Sequence, residues 1–169
     1  MFQPKISIIT ICYNSAQTIE KTIQSIVEQD YTNREYIIVD GLSTDNTLSI
    51  VNKYSKQIDV IISEKDKGIS DAFNKGITRA SGDIIVLINS DDILLPDALS
   101  KVAQAWEPGV DIFSTNVIMK DCDTGYECRE VPSTTFPLMP FCRHVAHQGA
   151  YISSECYNRY GLYDINLRW

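Results

Sequence analysis

Residues 85–96 read IVLINSDDILLP, and the first half of that stretch decides the fold. From Ile84 to Ile88 every position is apolar. Side chains on a strand alternate between its two faces, so an unbroken apolar run is a strand buried on both sides, the kind found in parallel sheets covered by helices. The run then ends on Asn89, Ser90 and two adjacent carboxylates, Asp91 and Asp92. Neighbouring carboxylates repel, and each raises the cost of ionising the other. A divalent cation bound to a diphosphate offsets that repulsion: Mg²⁺ or Mn²⁺ takes one or two carboxylates and completes its shell with phosphate oxygens and water.

Outward from this strand the same signal recurs. Ile6–Cys12 is β-branched and apolar, Tyr36–Val39 repeats it, and Val60–Ile62 is a third short run. Between them lie helical periodicities: Ile19, Ile23, Ile26 and Val27, with Asn14 or Ser15 as N-cap; Leu48, Val51 and Tyr54, with Ser43 or Thr44 as cap; and Ile69, Phe73, Gly76, Ile77 and Ala80, ending at Ser81-Gly82. Pro96 suits the first turn of a fourth helix with Leu99, Val102, Ala103 and Trp106 inward. Four strand–helix alternations predict a Rossmann-like α/β fold, a mostly parallel central sheet flanked by helices. After about residue 108 the rhythm breaks. Asp111–Met119 reads as a strand, DCDTGYEC contains a turn, and Tyr126–Val131 returns antiparallel, so an antiparallel extension is expected. The segment 134–140 is loop-like; Gly149–Ile152 is a short strand, and Ser153 caps a last helix that ends near Gly161. One domain over 1–169 is expected, with a nucleotide-binding β/α half (1–107) and an acceptor-side half (108–169).

The charge balance, 15 basic against 22 acidic residues and a net −7, without a Lys/Arg cluster, argues against a nucleic-acid surface or a polybasic membrane patch. The five cysteines, Cys12, Cys122, Cys128, Cys142 and Cys156, are odd in number and show no CxxC spacing, which fits reduced thiols in a cytoplasmic protein. No run reaches the roughly 18 apolar residues that a membrane span requires. Zinc held by Cys142, His144 and His147 lacks a partner pair at the usual spacing. A dinucleotide oxidoreductase is disfavoured because CYNSAQT, not GxGxxG, follows the first strand.

In an open parallel sheet, ligands bind beyond the carboxyl ends of the strands. The polar residues there are Tyr13-Asn14, Asp40 to Asp45, Glu64 to Lys67 and Asn89 to Asp92. Turn and cap chemistry explains each group singly, but capping does not call for two adjacent acids. The four motifs TICYN (10–14), VDGLSTDNT (39–47), DKGISDAFNKGI (66–77) and GDIIVLINSDD (82–92), in that order, make the chain resemble the family 2 glycosyltransferases of the GT-A fold, particularly those of bacterial polysaccharide biosynthesis. The resemblance implies a nucleotide-diphosphate-sugar donor, with UDP favoured, a divalent metal (Mn²⁺ or Mg²⁺), and transfer with inversion to a saccharide or lipid-linked acceptor. It implies that Thr10, Tyr13 and Asn14 lie at the donor, with Tyr13 against the base, and that Asp40 accepts from the base's ring N–H. It places Lys67, Asp71 and Asn74 on the helix beside the donor. Asp91 falls near the ribose or metal and Asp92 is the direct metal ligand, with Asn89 standing where the family's DxD motif often begins. His147-Gln148 resembles an acceptor-side segment. GLYDINLRW resembles the stretch just before the family's catalytic base, so the base is expected beyond Trp169, with Asp164 a weak substitute and the chain a truncated form of its relatives. The alternative is a non-catalytic nucleotide-sugar-binding module or an inactive fragment. The whole protein is expected in the cytoplasm, with peripheral association at the inner face of the membrane.

Overall fold

The computed structural model describes residues 3–132 and 146–166. The first strand, β1 (Ile6–Cys12), leads through α1 (Ile19–Val27) to β2 (Arg34–Asp40), then through α2 (Thr47–Lys53) to β3 (Val60–Ser63). The chain returns through α3 (Ile69–Arg79) to β4 (Ile84–Asn89), and α4 (Ala98–Ala105) follows. Beyond it come β5 (Ile112–Ser114), β6 (Val117–Lys120), β7 (Glu127–Glu130), a 3-10 turn at His147–Gly149, β8 (Ala150–Ser153) and α5 (Ser154–Tyr160).

The main sheet has the order β3-β2-β1-β4-β8-β5. Its β3, β2, β1 and β4 are mutually parallel, as the unbroken apolar runs predict. The connections explain which face each helix covers. From β1 to β3 the chain steps one way across the sheet; from β3 to β4 it steps back past β2 and β1. Right-handed crossovers therefore put α3 on the face opposite α1 and α2. The two apolar layers follow that division. Ile6, Ile8, Tyr36, Ile38, Val86 and Ile88 pack with Ile19, Ile23 and Ile26 of α1, Val51 of α2, and Leu99 and Val102 of α4. On the other face Ile9, Ile37, Val39, Ile85 and Leu87 pack with Ala72, Phe73 and Ile77 of α3. Gly76 lets α3 sit this close, because a Cβ there would strike the Ile9 side chain.

Several local expectations are corrected. The predicted strand 111–119 is two strands, β5 and β6, and they join different sheets. β8 lies antiparallel between β4 and β5, so it supplies the antiparallel extension of the main sheet. β6 and β7 form a separate antiparallel hairpin. Helix α4 begins at Ala98, after Asp97 in the left-handed region (φ 60°), so Pro96 lies just outside the helix. Ile69 does not join the buried face of α3; it is 54% exposed. Asn14, Ser15, Ser43 and Thr44 do not cap helices, since α1 and α2 begin after Thr18 and Asn46 without side-chain caps. Ser153 does cap α5, its Oγ accepting from the Cys156 N–H at 3.0 Å, and Gly161 (φ 90°) follows the helix end. Cys12 is buried and Cys122 and Cys128 are exposed, all as free thiols; Cys142, His144 and the loop 134–140 lie outside the described residues.

Candidate functional site

The strand order reverses between β1 and β4, and a cleft of about 360 Å³ opens there, at the carboxyl ends of the strands. It is lined by Tyr13 and Ser15 after β1, by Asp66 and Ile69 around the start of α3, and by Asn89 and Ser90 at the end of β4. The loops are tied to one another. Asn14 has φ 49°, a conformation Asn tolerates better than most residues. Its Oδ1 accepts from the Thr44 N–H at 2.9 Å, and its own N–H donates to Ser43 Oγ at 2.9 Å. Ser15 donates its N–H to Thr47 Oγ1 at 2.7 Å and its hydroxyl pairs with Ser90 Oγ at 2.8 Å. Between these ties Tyr13 projects outward, 62% exposed, beside the cleft. An exposed aromatic on a pinned backbone is a ready stacking surface for a planar ring.

Asp40 is fully buried. Its carboxylate accepts from the Ser43 N–H at 3.1 Å, from the Ser63 hydroxyl at 2.7 Å and from the Ser43 hydroxyl. Its place is under the loop, joining the ends of β2 and β3. Burial and the neighbouring Asp40 push the Cys12 thiol up to about 12, so this cysteine stays protonated. Thr10 points into the core, also fully buried, and accepts from the Tyr36 hydroxyl at 3.1 Å.

At the end of β4, Asp91 is exposed and Asp92 is partly buried. Burial and the Asp91 charge raise the Asp92 carboxyl above the usual carboxylate range, while His147 and the Asn89 N–H, 3.3 Å from its Oδ2, act in the opposite sense. Asn89 Nδ2 lies 3.2 Å from His147 Nε2, so the 3-10 turn is drawn to the end of β4. The His147 ring meets Phe73 of α3 edge-on at 6.1 Å, and Gln148 follows it, partly buried. The donor chemistry of Asp91 and Asp92 fits a hard divalent cation that keeps water and phosphate oxygens as its remaining ligands. Among the described residues no group of three or more His, Cys, Asp and Glu is placed to hold a metal by itself.

The α3 residues serve local structure. Asp71 Oδ2 accepts from the Lys67 N–H at 2.9 Å and lies 3.6 Å from Lys75 Nζ, closing the first turn of the helix. Lys67 is exposed beside it. Asn74 is turned away from the cleft: its Nδ2 donates to the Tyr163 carbonyl at 2.8 Å and its Oδ1 accepts from the Tyr163 N–H at 2.9 Å. Asp164 is exposed, and its Oδ1 accepts from both nitrogens of Asn166 at 2.8 and 3.0 Å, as a turn residue does. Sequence reasoning passed over Asp66 within the polar run after β3. Its Oδ1 accepts from the Gly68 N–H at 3.0 Å, and its Oδ2 lies 2.5 Å from where a Cβ on Gly41 would stand. The pairing of a glycine after Asp40 with an acid before α3 was the only signal, and it reads as loop chemistry until the two loops are seen together.

Comparison with known proteins agrees with this arrangement. The chain is 38% identical over 103 residues to the Bacillus subtilis (strain 168) protein described as "Putative teichuronic acid biosynthesis glycosyltransferase TuaG", covering 59% of this chain and 41% of that one. It therefore spans about two fifths of the length of that relative. Among solved structures it superposes on S. aureus TarS 1-349 with a TM-score of 0.75 at 23% identity, covering 98% of this chain and 52% of the other. On the Pyrobaculum calidifontis mannosyltransferase PcManGT, in complex with GDP-Man and Mn²⁺, the TM-score is 0.73 at 22% identity, covering 99% and 49%. These likenesses show the GT-A fold. The model of the family described as "Glycosyl transferase family 2" matches residues 7–157, and the chain belongs to that family.

Proposed function

We propose that this chain forms the donor-binding core of a metal-dependent, inverting hexosyltransferase that moves a sugar from a UDP-sugar to a hydroxyl of a saccharide or lipid-linked acceptor, in the synthesis of a bacterial cell-surface polysaccharide. The observation that carries this reading is the cleft between β1 and β4, with an exposed aromatic at one wall and the Asn89–Asp92 strand end at the other. TarS 1-349 has been solved in complex with UDP-GlcNAc and with UDP, which supports a uridine nucleotide as donor. Tyr13 offers its ring to the base. Asp92 and Asp91 are the residues that would hold Mn²⁺ or Mg²⁺, and that cation, when bound, supplies charge stabilisation for the departing diphosphate. His147, drawn to Asn89, borders the side from which an acceptor approaches. The proposed cellular place is the cytoplasm, at the inner face of the membrane where lipid-linked acceptors are found.

The test is isothermal calorimetry of the chain with UDP in the presence and absence of Mn²⁺. Metal-dependent binding of UDP supports the reading. Failure of UDP and of GDP to bind with either Mn²⁺ or Mg²⁺ refutes it.

A further inference from the structure

Helix α4 does not cap its own start. Asp97, at the N-cap, lies in the left-handed region and makes no side-chain cap bond, so the N–H groups of the first turn need partners from elsewhere. Gln29, two residues past the end of α1 and 9% exposed, supplies one. Its Oε1 accepts from the buried Leu99 N–H at 3.2 Å. Its Nε2 donates to the Leu95 carbonyl at 2.9 Å and to the Ser25 carbonyl of α1 at 3.0 Å. Ser25 adds a second tie, its Oγ accepting from the Leu94 N–H at 3.1 Å. Among the described residues, these bonds to Leu94, Leu95 and Leu99 are the ones that join the segment 93–99 to another element. That segment leaves directly from Asp92. On its other side Asp92 is tied to β4, its N–H donating to the Asn89 carbonyl at 3.2 Å and its Oδ2 accepting from the Asn89 N–H at 3.3 Å.

We infer that Gln29 is a positioning residue for the paired carboxylates: with Ser25, it latches the segment that leaves Asp92 onto the end of α1, so that Asp91 and Asp92 are ordered before a divalent cation arrives. This rests on the metal-dependent reading above and names what holds the acids in place. Gln29 acts through the backbone and is not itself a ligand. The latch calls for donors and an acceptor on one side chain, which an amide offers. Without it, the segment keeps conformational freedom in the metal-free chain and loses it on binding, and the affinity falls with the fraction of time the carboxylates spend in place. Gln29→Met keeps the length and removes every bond. Gln29→Glu keeps the length and the oxygen for Leu99 but sets a carboxylate against two carbonyls.

The experiment is calorimetric titration of UDP at a series of Mn²⁺ concentrations into the wild-type chain, Gln29→Met, Gln29→Glu and Ser25→Ala, below the melting temperature of each. Glu35→Gln, altered near the start of β2 at the other end of the sheet, is the control for lost stability alone. Amide exchange of the metal-free proteins is followed alongside. Both Gln29 variants should raise the Mn²⁺ concentration needed for half-maximal UDP binding by about tenfold or more, as loss of groups that orient metal ligands does. They should also speed exchange of the Leu94 and Leu99 N–H groups. Ser25→Ala should act in the same direction but less, and decides the matter should neither Gln29 variant fold. Glu35→Gln should melt lower and keep the wild-type Mn²⁺ requirement. An unchanged requirement in the folded Gln29 variants, an unchanged one in Ser25→Ala when those do not fold, or an equal rise in Glu35→Gln overturns the inference while leaving metal-dependent nucleotide binding intact. A wild type whose UDP binding does not respond to Mn²⁺ overturns it together with the reading on which it rests.

Discussion

Glu35 offers a sharp test of how the sheet is held, at the end opposite the cleft. It is the second residue of β2 and is 7% exposed. Its Oε1 accepts from the Ser7 hydroxyl of β1 and from the Ser81 N–H, while Oε2 accepts from Ser81 Oγ at 2.8 Å and Lys5 Nζ at 3.2 Å. Ser7 Oγ in turn accepts from the Gly82 N–H at 2.8 Å. One carboxylate therefore joins the starts of β1 and β2 to the turn that feeds β4. Burial alone would raise its pKa, but the hydrogen bonds from Ser7, Ser81 and Lys5 outweigh it and hold the carboxyl below its ordinary value. Lys5 is partly exposed, so its ion pair adds little. Replacement by Ala leaves the buried Ser7 hydroxyl and the part-buried N–H and hydroxyl of Ser81 without their acceptor, a loss of about 3–5 kcal/mol for the three bonds together. At about 2–4 °C per kcal/mol for a domain of this size, the melting temperature should fall by about 6–20 °C at pH 7. Glu35→Gln, which keeps one acceptor oxygen but turns an N–H₂ toward Lys5, should lose about 1–2 kcal/mol. The pH dependence has a definite sign. Because the folded pKa is depressed, the contribution is complete above the unfolded carboxyl pKa of about 4.3 and is lost as pH falls through the folded value. The gap between wild type and Glu35→Gln should therefore narrow on acidification below about pH 4. Circular-dichroism melts at pH 7 and pH 3.5 provide the measurement. A Glu35→Ala protein that melts within 2 °C of wild type at neutral pH, or a Glu35→Gln gap that does not shrink in acid, would refute the reasoning.

Two further outcomes are expected. Asp92→Asn should abolish most of the thermal stabilisation given by Mn²⁺ plus UDP, because the partly buried carboxylate is the stronger ligand; Asp91→Asn should reduce it less, and differential scanning fluorimetry distinguishes the two. Asn74→Ala should release the backbone of Tyr163, with a loss of about 1–2 kcal/mol and faster proteolytic cleavage near residues 161–166, read by limited proteolysis and mass spectrometry.

The strand–helix alternation up to Trp106 was legible because burial on both faces of a parallel strand demands consecutive apolar residues, and β1 to β4 obey that demand. The positions of the strand ends were legible for the same reason, and with them the polar residues that border the cleft. Asp91 and Asp92 stood out because adjacent acids at such an end have no structural necessity. What the local pattern did not contain was partnership between distant segments. Nothing in Ala150–Ser153 says that it will lie between β4 and β5, since edge pairing is decided by which backbone is left open after the other strands have docked. The site residues divide along the same line. Thr10 and Asp40 belong to motifs at the strand ends, yet the packing of Tyr36 against one and of Ser43 and Ser63 against the other encloses them. Asn74 sits on a helix beside the cleft but spends its amide on a backbone segment 89 residues away. Asp66 and the Tyr13 ring both come close to Gly41 only because the loops that carry them meet over that glycine. Periodicity and motif order are properties of neighbours in the chain; the identity of the carboxylate that faces a ligand depends on hydrogen bonds between residues far apart in it, which only the tertiary structure brings within reach.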